Sequence, residues 1–143
     1  MIHSEHLENV RPGWVASGWL VSVAITSLIV IVLASLGLVT AGDEADGGLW
    51  GVVSIALGFW AGGVFTGYRA LRAPILHGIG IGLTSLIAWA LLNVLIAPTR
   101  LLGWQALTPA LTSALMLVQM AAAVAGTWVG HRIALRGGLE VQE

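Results

Sequence analysis

Hydrophobic residues run continuously over four long stretches of this chain, and the charged residues are confined between them. No Asp, Glu, Lys or Arg lies between Pro12 and Gly42, Gly47 and Tyr68, Ala73 and Thr99, or Leu101 and His131. An α-helix rises about 1.5 Å per residue, so about 20 apolar residues cross roughly 30 Å of hydrocarbon. Every stretch is long enough. The pattern predicts an all-α fold, a four-helix transmembrane bundle, with spans near 14–39, 49–68, 74–97 and 108–131 in a single integral membrane domain, 1–143. The first stretch, Trp14 to about Val39, far exceeds the roughly 7–15-residue apolar core of a signal peptide and reads as a true span.

The prolines fall at the edges of these stretches. Pro12 precedes span one, Pro74 opens span three, Pro98 follows it, and Thr108-Pro109 reads as an N-cap and first-turn proline for span four. Short connections predict that consecutive helices pack as antiparallel neighbours. Two short matches suggest an internal repeat of two parallel helical hairpins. Ile25-Thr26-Ser27-Leu28-Ile29 echoes Leu83-Thr84-Ser85-Leu86-Ile87, and Gly63-x-x-x-Gly67-Tyr68-Arg69 echoes Gly126-x-x-x-Gly130-His131-Arg132. In a chain so rich in Ala, Gly, Leu, Ile and Val, chance is the competing explanation.

Composition agrees with the pattern. Of 143 residues, 57% are hydrophobic and 9% charged, against about 25% charged in an ordinary soluble domain. The net charge of −1 leaves no basic surface for nucleic acid, and the absence of cysteine excludes disulfides and thiolate metal sites. Charge also sets orientation. Arg11, Arg69, Arg72, Arg132 and Arg136 fall in the two tails and the 2–3 loop, and only Arg100 lies in the opposite loops. By the positive-inside rule both termini are cytoplasmic, and Asp43, Glu44 and Asp46 form a short acidic loop outside. Trp14, Trp50, Trp104 and Trp128 lie near span ends, where amphipathic rings prefer the interface. Lysine-free, Ala/Gly-rich usage fits a bacterial cytoplasmic (inner) membrane.

Glycine spacing is the most informative chemistry. Gly58/Gly62 and Gly63/Gly67 in span two, Gly78/Gly82 in span three and Gly126/Gly130 in span four are small-xxx-small pairs. Such a spacing puts both members on one helix face, where backbones approach closely. Gly18, Ser22 and Thr26 are a weaker analogue in span one. The run Gly78 to Gly82 has no preceding strand and is no phosphate loop. Gln119, near mid-span on the face of Gly126 and Gly130, is a candidate interhelical polar contact, with a pore contact as the alternative. Asn93, near the end of span three, is a weaker one. His77 and His131 at helix ends are candidate pigment or haem ligands, against the plainer reading of interfacial histidines. His3 and His6, with Glu5 and Glu8, belong to a solvated tail. Trp60 and Trp89, inside their spans, fill space or face lipid.

The segment from Gly58 to Leu83, GFWAGGVFTGYRALRAPILHGIGIGL, is similar to a hairpin of glycine-rich, four-span small bacterial integral membrane proteins of unassigned function. The likeness uses Gly62, Gly63, Gly67, Arg69, His77, Gly78 and Gly82 and covers under a fifth of the chain. It implies fold and location and carries no activity.

No carboxylate or arginine lies within the spans. The intramembrane glutamate of small multidrug exporters, the motifs of small fluoride channels and the broken helices of ion-coupled carriers are all missing. No catalytic constellation is present, so no enzyme and no cofactor is expected. Three readings follow. The first is a structural or accessory subunit packing with itself or with other membrane subunits. The second is a small channel or carrier for a neutral or weakly polar solute, lined by Gln119, Ser85 and Thr112. The third is a pigment- or haem-bearing subunit. Orientation has a direct test, since the chain lacks native cysteine. A cysteine placed in the 43–47 loop should label from outside intact cells and one at position 71 should not; the reverse pattern overturns the orientation.

Overall fold

The computed structural model describes residues 6–39, 44–96 and 109–138. After a 3-10 turn, Leu7–Asn9, come four helices: α1 Pro12–Ser35, α2 Glu44–Arg69, α3 Pro74–Ile96 and α4 Pro109–Arg136. No strand occurs among the described residues. All four helices are long and apolar enough to cross a membrane. His3, Glu5, Asp43, Pro98, Arg100, Trp104 and Thr108 lie outside the described residues.

Helix boundaries differ from the sequence expectation where local chemistry intervenes. α1 stops at Ser35, not near Val39, because Gly37 adopts φ +72° and turns the chain. Its N–H bonds Ala34 O at 3.0 Å and that of Leu38 bonds Leu33 O at 3.0 Å, the two bonds of a Schellman cap. α2 begins at Glu44, so part of the expected acidic loop is already helical. α4 continues past residue 131 to Arg136, and Gly138, φ +76°, lies in the turn that follows.

Consecutive helices are not always neighbours. The most extensive contact joins α2 to α4, followed by α1 with α2 and α3 with α4; α1 meets α3, while α2 and α3 touch little. The expectation that sequential helices pack together therefore fails for α2 and α3. Its cause is the double glycine face of α2. At about 3.6 residues per turn, Gly62 and Gly63 point roughly 100° apart. A Cβ on Gly62 would lie 2.6 Å from Gly18 O of α1, and one on Gly63 would lie 3.0 Å from Thr127 N of α4. With α1 and α4 on those two faces, no close face of α2 is left for α3.

Parallel α2 and α4 meet along a reciprocal seam. Gly63 faces Ala123 O and Gly67 faces Thr127 O, while Gly126 faces Trp60 O and Gly130 faces Val64 O. Each glycine thus meets the carbonyl three residues before the equivalent glycine of the other helix. α3 closes on α4 through Gly78, whose added Cβ would fall 2.6 Å from Val124 Cα, and Gly82, 2.8 Å from Met120 Cβ. One residue of each helix, Val15, Phe59, Ile81 and Ala123, forms the buried core. Alanine in place of glycine usually favours a helix by about 1 kcal/mol. At Gly126 the sign should reverse, because the new methyl would lie 3.0 Å from Val64 N and against Trp60 O, all rigid backbone. Gly126→Ala is expected to lower stability by about 1–3 kcal/mol. Leu28→Ala, at a position 61% exposed, should change little. Equal losses in detergent melting would refute the seam.

Candidate functional site: a cavity in the distal half of the bundle

Burial is uneven along the helices. The half nearer the termini is close-packed. Past Ser22 in α1 and past Ser85 in α3, by contrast, no described residue is buried. Hydroxyls in the tight half bond back to their own helices: Ser22 to Gly18 O at 2.8 Å, Thr66 to Gly62 O at 2.9 Å and Thr127 to Val124 O at 2.9 Å. Such bonds satisfy a buried hydroxyl without a partner helix.

Beyond the tight half the helices frame an open cleft of about 360 Å³. Every helix contributes to it: Trp19, Val23 and Thr26 from α1, Ile55 and Phe59 from α2, Ser85, Trp89 and Leu92 from α3, Met116 and Gln119 from α4. Phe59 belongs both to the cavity and to the core beneath it. Trp19 Nε1–H donates to Ser85 Oγ at 2.9 Å, tying α1 to α3 at the cavity wall. Three other polar atoms on the lining residues are buried with no hydrogen-bond partner: Thr26 Oγ1, Trp89 Nε1 and Gln119 Oε1. An indole N–H only donates, an amide oxygen only accepts, and a hydroxyl does either. Unsatisfied buried groups cost about 1–3 kcal/mol each; all three belong to residues that line this space, and Thr26 Oγ1 itself lies against Gly58 in the α1–α2 crossing.

Residues singled out in the sequence fall in several places. The eight paired glycines all lie at helix contacts within the chain. Gln119 and Ser85 line the cavity; Thr112 does not. Asn93 donates from Nδ2 to Trp89 O of its own helix at 2.8 Å and so is turned back on α3. His77 is fully buried. Its Nε2 accepts from Arg11 N–H at 3.1 Å, and its Nδ1 lies 2.8 Å from Ala73 O. Those partners assign the proton to Nδ1 and engage both ring nitrogens, leaving neither for an iron. The imidazole instead ties the start of α1 to the turn before α3, whose Ala73 holds φ +49°. His131 is half-buried in the last turns of α4. Among the described residues no group of three His, Asp or Glu could hold a metal ion. Trp89 and Thr26 were missed as site residues, since each fits a packing pattern in the sequence.

A polar group kept at a cost in stability has a measurable signature. Replacing an unpartnered buried acceptor by an apolar group of similar size is neutral or stabilising. Gln119→Leu and Thr26→Val should therefore melt no lower than the parent chain in detergent. Thr66→Val, which removes a made bond, should lose about 1 kcal/mol. A large loss for Gln119→Leu would mean that the amide is a structural contact.

Searches of protein-family models, curated proteins and solved structures find no match to this chain.

Proposed function

We propose that this chain is a four-span protein of the bacterial cytoplasmic membrane, with both termini inside, that binds and carries a small neutral, weakly polar solute in its distal cavity. The observation behind the reading is that Thr26, Trp89 and Gln119, each with a buried polar atom that has no partner, all line one cleft shared by the four helices; the Trp89 indole and the Gln119 amide would reach a ligand there by a change of rotamer. A ligand suited to it offers an acceptor to the indole N–H and a donor to the amide oxygen, with an apolar or aromatic body between Trp19, Phe59 and Trp89. The cavity walls carry no formal charge, which favours a neutral solute over an ion.

Membrane insertion is supported by what faces outward. Leu20, Ile31, Val94 and Leu95 are 60–73% exposed on helices that would otherwise present them to water. The reciprocal α2–α4 seam supports an origin by duplication of a helical hairpin, because equivalent glycines make equivalent contacts. Kinship with glycine-rich four-span bacterial membrane proteins belongs to the same proposal. The accessory-subunit reading needs small-residue faces left over for partners, whereas each of the four glycine pairs meets a helix of this same chain. Both ring nitrogens of His77 are engaged within the chain, so a pigment or haem would have to be held through His131.

Transport is the decisive test. Proteoliposomes containing the chain should take up glycerol or benzamide faster than protein-free vesicles, and Gln119→Leu should return uptake to the control. Uptake equal to that of empty vesicles rejects the carrier reading. Uptake untouched by Gln119→Leu moves the route away from this cavity.

A further inference from the structure

A second concavity lies on the outside of the bundle, between α3 and α4, and has nothing to do with the solute cavity. Its volume is about 520 Å³. Ala121 and Ala125 make its floor, and Ile75, Ile79, Met120 and Trp128 stand around them. From Trp128 to Leu117, at about 1.5 Å per residue, it runs roughly 16 Å along α4. The hydrocarbon of one leaflet is about half of a 30 Å core, so the groove is one leaflet deep.

The end of the groove nearer the termini carries a cation. The Arg132 guanidinium lies over the Trp128 ring, 3.9 Å from its centroid. A guanidinium held over an indole by cation–π attraction keeps its charge and its five N–H donors, which can grip a phosphate by two parallel bonds. Tryptophan beside arginine in the last turns of a span is also the composition of the headgroup region.

We infer that the α3–α4 groove is a site for one anionic phospholipid, with its phosphate on the edge of Arg132 and one acyl chain along Ala125 and Ala121. Selection for an anionic lipid follows from charge complementarity: a basic residue near an anionic surface favours it by roughly five-fold. Arg136 is exposed in the same last turns but is not stacked on the groove, so it is the control.

The test is native mass spectrometry of the detergent-solubilised chain, titrated with phosphatidylglycerol and phosphatidylcholine of identical acyl chains. The parent chain should retain phosphatidylglycerol about five-fold more than phosphatidylcholine. Arg132→Gln should bring the two together, whereas Arg136→Gln should keep the preference. Ala125→Leu, which fills the floor, should weaken retention of both lipids. Equal retention by the parent chain overturns the inference, as does a preference that survives Arg132→Gln or falls equally with Arg136→Gln. A lipid-free dimer that Ala125→Leu dissolves would give the groove to a second copy instead. Because none of these variants touches the solute cavity, uptake in proteoliposomes fails or succeeds separately.

Discussion

Close approach of backbones across glycine is the interaction on which the rest of this fold depends. A Cβ anywhere along Gly58, Gly62, Gly63, Gly67, Gly126 or Gly130 would strike main-chain atoms of a neighbouring helix, which cannot swing aside as a side chain can. In lipid the hydrophobic effect does not drive helices together, so van der Waals contact over such faces is the main source of association. α2 carries two of these faces and is therefore the helix around which the order α1–α2–α4–α3 is set.

That arrangement concentrates packing in one half. Glycine crossings and self-bonded hydroxyls fill the half near the termini. The distal halves of α1 and α3 instead turn large aliphatic residues outward: Leu28, Ile31, Ile87 and Leu91 are 56–64% exposed. The cleft lined by Thr26, Trp89 and Gln119, whose buried polar atoms have no partner, lies in this less tightly packed half.

The helix count, the proline-marked starts and the close-contact faces were legible in the sequence because each depends on neighbours a few residues away. Gly62 and Gly63 were visibly paired with Gly58 and Gly67, but which helix each pair would meet was not, since small faces are interchangeable until all four helices compete for them. The weak α2–α3 contact is the result of that competition. Gly37 was within reach as a cap, yet apolar Leu38 and Val39 extended the expected span beyond it. Gln119 stood out because an amide is conspicuous in an apolar run. Trp89 did not, because tryptophan is unremarkable in a span until its N–H is stranded.

The α2–α4 seam also divides the molecule into parts with different freedom. Two parallel helices locked by reciprocal carbonyl–glycine contacts can neither slide nor roll against each other without losing several contacts at once. α1 is held against α2 as far as Thr26, which lies at Gly58, and the bond from Trp19 to Ser85 ties it to α3. A change of shape that spared the seam would have to come from the turns of α1 beyond Thr26 and of α3 beyond Ser85, and it would be felt as a change in the width of the cleft between them.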